Sequence, residues 1–328
     1  FGFAIGTQML MWGLTGPIFG AIADRFGGHV AIISSFLFYT LGVYFLYSGP
    51  NTGIFFQIHL GLLIGIGLGG TAISIPMSIV GKHFPLSNRT IAMSIVTAVG
   101  SFGYFISPIF TNYSLIEYGW NYTLFLFSLF LVTGLIAAFF VRSPKENEIV
   151  ENRSDQSFKE ALSEAFKSKS YILLVSGFFV CGFHITLVGT HVPKYVIDRG
   201  LEDWTAAAIL SLIGLFNIFG SLLSGYLSTK ISKKVLLSAI YLLRGFSIAF
   251  FIFTPPSVLS AFIFGASFGF LWLSTVPATS GIVAHLFGTK YLGLLYGIVF
   301  LSHQIGSFFG AYLGCLLYTS DAADEKYR

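Results

Sequence analysis

Residues Gly20–Gly28 read GAIADRFGG, an acid and a base side by side, bracketed by glycines, with long apolar runs before and after. Outward from that stretch the chain stays greasy. Of its 328 residues, 55% are hydrophobic and only 10% are charged, and mean hydropathy is +0.80. Soluble domains carry about 25% charged residues. Runs long enough to cross about 30 Å of hydrocarbon recur along the chain. The class that follows is an all-α polytopic membrane protein, because a soluble core helix is apolar along one stripe rather than all round.

Ten apolar segments can be read, near 2–22, 29–49, 54–80, 90–113, 120–141, 170–196, 204–228, 235–253, 257–287 and 291–314. A polar insert from Arg142 to Lys169 separates five from five. The organisation expected is an N-terminal bundle over 1–141, a linker over 142–169 and a C-terminal bundle over 170–314. The end differs in character: CLLYTSDAADE, 315–325, turns polar halfway along a span and resembles a back-translated sequencing adapter. Residues 315–328 are therefore expected to be non-native, with a genuine acidic tail as the alternative. Cys181 is then the only native cysteine expected, and one thiol makes no disulfide framework.

Basic residues orient the spans, since Lys and Arg are retained on the cytoplasmic side. Alternate loops collect Arg25; Lys82 and Arg89; Arg142, Lys145, Arg153, Lys159, Lys167 and Lys169; Lys230, Lys233 and Lys234; and Lys290. The opposite loops hold only Lys194 and Arg199. This asymmetry supports the ten-span reading and puts the central loop in the cytoplasm. Within the insert, SFKEALSEAFKSK carries a capping box, Ser157 with Glu160. Phe158, Ala161, Leu162, Ala165 and Phe166 recur there at helical spacing. Two readings stay open: a helix lying on the membrane surface, or a solvated linker helix.

A weak internal repeat is present. GAIADRFGGHVAI at Gly20 is echoed by GYLSTKISKKVLL at Gly225, and Pro76 and Pro277, like Arg89 and Lys290, stand 201 residues apart. Related halves are common in secondary transporters.

The pattern G-x-x-x-D-R-x-G, occupied by Gly20, Asp24, Arg25 and Gly27, resembles the signature loop between the second and third helices of the major facilitator superfamily. The resemblance covers residues 1–314. It implies the major-facilitator fold, two six-helix bundles of which about ten helices are present, lacking the first and twelfth. It also implies that this loop is a cytoplasmic latch, made in one access state and broken in the other. Gly20 suits close helix approach, Gly27 a turn with positive φ, and Asp24 can face a neighbouring helix N-terminus. The plain alternative is a surface ion pair worth under about 1 kcal/mol. The pattern departs from the family at Gly28 and His29, where further basic residues are usual, and at Thr229, which replaces the acid of the second copy. GFFVCGFHITLVGTHVPKYVIDRGL from Gly177, IGLFNIFGSLLSG from Ile213 and LWLSTVPATSGIVAHLFG from Leu271 look like a bacterial branch related to monocarboxylate porters. That likeness implies a small organic anion, proton coupling and a bacterial inner membrane. The acid–arginine pair of the eukaryotic carriers' eighth helix is replaced here by Asn217 and Ser221.

Ionisable groups inside a span are costly and are functional candidates by default. Arg244 lies ten residues past Lys234, about 15 Å at helical rise and so near the midplane. No Asp or Glu falls inside any of the ten segments. An anionic substrate, backbone carbonyls or an acid in a helix outside the sequence are the partners open to it. Without carboxylates, proton coupling falls to histidines, His303 and His184. Gln8, Asn217 and Gln304 are polar groups inside spans that either bind substrate or bond across helices. Trp12 is expected to pack. GIGLGG, Gly65–Gly70, matches a nucleotide-loop pattern but follows no strand and reads as close helix packing.

The function expected is proton-coupled uptake of a small organic anion by a monomeric secondary transporter using alternating access. The lipid bilayer is its medium. No catalytic residue, metal, cofactor or nucleic acid is implied. A drug or amphiphile exporter of the same fold is the alternative. From another class, a membrane sensor or membrane-embedded enzyme remains.

Overall fold

A computed structural model describes residues 2–50, 52–141 and 157–325, the stretch from 315 as backbone alone. In chain order the helices are α1 (Gly2–Phe26), α2 (Gly28–Ser48), α3 (Gly53–Phe56), a π-helical stretch (Gln57–Leu63), α4 (Ile64–Thr71), α5 (Ser74–His83) and α6 (Leu86–Ala138). After the polar insert come α7 (Phe158–Lys167), α8 (Lys169–Asp198), α9 (Asp203–Lys230), α10 (Lys233–Phe253), α11 (Val258–Leu271), α12 (Thr275–Phe287) and α13 (Leu292–Glu325). No strand occurs among the described residues, and eight helical stretches are long and apolar enough to cross a membrane. The chain is a multi-pass membrane protein.

Each of the ten apolar segments is helical. Two junctions show how sequence breaks the helices. Gly27, with φ 97°, separates α1 from α2 in a conformation that side chains other than glycine resist. Gly119, with φ 76°, divides α6 into two arms, and Phe110 packs on Phe127 and Phe130, so the second arm returns along the first.

The repeat is visible as geometry. The span formed by α4 and α5 breaks at Ala72–Ile73, and the span formed by α11 and α12 breaks at Trp272–Ser274. Pro76 and Pro277 stand just after the two breaks. A proline has no N–H and crowds the carbonyl four residues back, so each disfavours a continuous helix across the break.

Helices α1–α6 and α8–α13 meet along two seams, α1 against α13 and α6 against α9. Small residues set the spacing. A Cβ on Gly214 would lie 2.8 Å from Phe105 Cα, and one on Gly20 would lie 2.6 Å from the Gly293 carbonyl carbon. The GIGLGG stretch packs against α1 and α2, with Gly65 beside Met11 and Gly67 beside Tyr39. The main apolar core lies among α5, α6, α8, α12 and α13, around Phe178, Val283, Tyr296 and Phe300.

Helix α7 begins at the anticipated capping box: the Ser157 hydroxyl accepts from the Glu160 N–H, and Glu160 Oε2 accepts from the Ser157 N–H at 2.7 Å. Its small face is turned inward. Ala161 and Ala165 are buried, Leu162 joins the core, and Phe158 meets Tyr291 edge-on. The helix is docked on the α8–α13 bundle. The two alanines let its backbone approach closely.

Candidate functional site

The acid of GAIADRFGG does not pair with its neighbour Arg25. Asp24 lies in the last turn of α1, where Oδ1 accepts from Lys82 Nζ of α5 at 2.6 Å. Its Oδ2 accepts from the Leu294 N–H of α13 at 3.0 Å. The first N–H groups of a helix have no internal partner and carry the positive end of its dipole, so a carboxylate is favoured there. Asp24 and Lys82 side chains are only 5% and 11% exposed, which rules out the plain surface pair. Gly20, one turn earlier, gives the approach that makes this possible. Arg25 points out and lies over the Phe26 ring at 5.2 Å. In the second copy, the Thr229 hydroxyl donates to the Tyr226 carbonyl of its own helix.

On the Asp24 side α6 and α9 also touch, with Gly225 against Ser94. Towards the other side they part. A cleft of roughly 570 Å³ opens there, lined by Asn112, Glu117, Trp204 and Ser211 among apolar neighbours.

Arg244 on α10 is wholly buried at the break between α11 and α12. Its Nη2 donates to the Leu271 carbonyl at 2.5 Å and the Trp272 carbonyl at 2.7 Å, and Nη1 donates to Cys181 Sγ at 3.2 Å. Tyr241 and Phe268 rings flank the guanidinium at 5.5 and 5.9 Å. Of the three partners open to it from sequence, backbone carbonyls are the ones it takes. Asn217 serves the same break from α9. Its Oδ1 accepts from the Leu273 N–H at 2.8 Å, and its Nδ2 donates to Ser101 Oγ of α6 at 2.6 Å, across the seam. Ser224 Oγ donates to the Ser274 carbonyl.

His303 is buried on α13, stacked on Phe300 and tilted against Phe178. Its Nδ1 pairs with Gln304 Oε1 at 3.1 Å, while Nε2 has no partner. His303 lies beside the Cys181 thiol, and His184 feels the Arg244 charge. The structure thus gathers Arg244, His303 and His184 around Cys181, with Gln304 joined through His303 and Asn217 on the far side of the break. Gln8 is half-buried on α1. Trp12 packs on Phe300 at 5.2 Å. His191 meets the Ala311 carbonyl at 3.1 Å.

Comparison with known proteins decides the family. A family model described as Major Facilitator Superfamily matches residues 1–317. The chain belongs to that superfamily. Among relatives of this facilitator is the uncharacterized MFS-type transporter YcxA of Bacillus subtilis, 24% identical over 96% of this chain and 78% of the relative. Monocarboxylate transporter 6 of Mus musculus is 25% identical over 70% of this chain and 54% of its own length. The solved E. coli fucose:proton symporter FucP superposes with a TM-score of 0.72 at 16% identity, covering 98% of this chain and 85% of that one. The facilitator is a membrane transporter rather than an enzyme.

Two partners in the facilitator's site were not singled out from sequence. Lys82 was legible only as one more basic loop residue, 58 positions from Asp24. Cys181 was set aside as a lone thiol, although VCGFHITL places it one helical turn from His184.

Proposed function

We propose that this facilitator takes up a small organic anion together with a proton by alternating access, and that the structure is its state closed on the cytoplasmic side. The observation that carries the reading is Asp24, bound at once to Lys82 of its own half and to the first turn of α13 in the other. A contact that joins the halves on the basic side, while a cleft parts them opposite, is what one end of a rocking cycle requires. The positive-inside bias supports a cytoplasmic latched side, and the Bacillus subtilis relative supports a bacterial inner membrane.

For the anion the support is Arg244, a buried cation with no carboxylate paired to it among the described residues, and a relative named as a monocarboxylate transporter. In the proposed cycle the α11–α12 break opens, and Arg244 exchanges its carbonyl partners for substrate. Asn217, Gln304 and Gln8 complete the polar lining. His303 and His184 are the proton carriers.

The test is flux. The full-length protein is reconstituted into liposomes holding a pH-sensitive dye, and a panel of small mono- and dicarboxylates is added under an inward proton gradient. The reading expects lumen acidification specific to one acid, above protein-free leak, and lost in Arg244→Gln and His303→Ala. Proton movement with no acid of the panel, and variants equal to wild type, would overturn it and turn the search to amphiphile efflux.

A further inference from the structure

The Arg244 cluster contains a group that the reading above does not use. Cys181 Sγ lies 3.2 Å from Arg244 Nη1 and 3.4 Å from Thr275 Oγ1, and both Cys181 and Arg244 are fully buried. The titratable or charged groups facing the sulfur are Arg244 and Tyr241 on α10, and His303 and Tyr296 on α13; His184 lies one turn along α8. Helix α12 offers only the Thr275 hydroxyl. None of these groups is an acid ionised at neutral pH, and every one can donate a hydrogen bond. Donors are in fact in excess. Arg244 Nε, the Tyr296 hydroxyl and His303 Nε2 are buried without a hydrogen-bond partner.

A guanidinium sealed from water without a counter-charge is strongly destabilising. Carbonyl oxygens of Leu271 and Trp272 offset part of that with their dipoles, but they carry no net charge. Among the described residues, the only hydrogen-bond partner of Arg244 that can become an anion is the sulfur. Guanidinium and imidazole neighbours favour the thiolate form of a cysteine.

We propose that Cys181 is the group at which the proton carried by His303 and His184 comes to rest beside Arg244. As a thiolate it balances Arg244. On taking up a proton from the aqueous side it forms an S–H bond, becomes neutral, and leaves the Arg244 charge available to an anionic substrate. One proton and one anion are thereby tied to the same cation, with no carboxylate in the membrane. The role in transport rests on the proton-coupled reading above; the ionisation chemistry does not.

The experiment is infrared spectroscopy of the S–H stretch on the purified full chain in lipid nanodiscs. The protein has two cysteines, Cys181 and Cys315, so a Cys315→Ser background leaves one thiol. An ordinary cysteine, with a pKa of about 8.5, shows its full band at neutral pH. The expected result is no band at neutral pH, a band that grows in on acidification, and a full band at neutral pH in Arg244→Gln. A full band in the parent protein at neutral pH, or a folded Arg244→Gln without one, overturns the proposal. If Arg244→Gln does not fold, the parent's band decides alone. The two readings fail separately. A full band beside intact acid-driven proton flux overturns the Cys181 site and leaves proton coupling standing. An absent band beside flux with no proton component overturns the coupling and, with it, the transport role given to Cys181.

Discussion

Lys82 Nζ lies 2.6 Å from Asp24 Oδ1, and the other oxygen of the same carboxylate accepts the Leu294 N–H from the opposite half of the molecule. One side chain therefore does two things. It neutralises a buried lysine within the N-terminal helices, and it caps a helix of the C-terminal ones. The second bond exists only while α1 and α13 are together, which ties the charge pair to one arrangement of the halves.

Removing one member should be worse than removing both. Lys82→Met leaves the Asp24 carboxylate buried without its cation, a loss of about 3–5 kcal/mol by the behaviour of buried pairs. The Lys82→Met, Asp24→Asn double variant should recover at least half of that. Thermal melts of the detergent-solubilised proteins measure it, and a double variant as unstable as Lys82→Met would show that the pair is not coupled.

Gly20→Ala tests the seam itself. The added Cβ would run into the Gly293 carbonyl group, which is backbone and cannot swing aside as a long side chain can. The halves should separate at that end. A membrane-impermeant maleimide should label Leu294→Cys several-fold faster in the Gly20→Ala background than with Gly20 present.

Arg244 is expected to tolerate no conservative change. Lysine has the charge but not the planar fork that reaches the Leu271 and Trp272 carbonyls and Cys181 together. Each buried bond to a charged group is worth about 1.5–3 kcal/mol. Arg244→Lys should lower stability by roughly the value of one or two such bonds, read from the unfolding midpoint. Arg244→Gln should remove anion uptake as well.

The docking of α7 should depend on pH through Glu160. Hydrogen bonds from the Ser157 N–H and hydroxyl hold its carboxyl below the ordinary value of 4.5. The sign follows directly: the capping box is fully present above the ordinary carboxylate range and is lost as pH falls through the lowered folded value. A spin label on Lys159 should gain mobility over that acid range, and Glu160→Ala should be mobile at neutral pH with the transition gone.

The spans were legible because hydrocarbon thickness leaves few ways to read an apolar run of that length, and the basic loops fixed their alternation. Asp24 was legible as a carboxylate that can face a neighbouring helix N-terminus, and it does so at Leu294. Its partner was not, since nothing local distinguishes Lys82 from Arg89 or Lys290. Arg244 stood out as the one cation near the middle of a span, yet its acceptors are the Leu271 and Trp272 carbonyls at the α11–α12 break. Composition records no such atoms. The apolar face of α7, with Ala161 and Ala165, was legible, but the surface it packs on was not, since periodicity does not name a partner.

The most direct test of the central claim is the distance between the two halves on the latch side. Nitroxide labels are placed at positions 25 and 290 by non-cysteine chemistry, and pulsed electron–electron resonance is recorded on the protein in nanodiscs. A latch worth about 1–3 kcal/mol changes the ratio of states by roughly 5- to 150-fold. The account predicts a dominant short distance in the wild-type protein and a longer population that rises strongly in Asp24→Asn. A single distance, unchanged by Asp24→Asn, would contradict it.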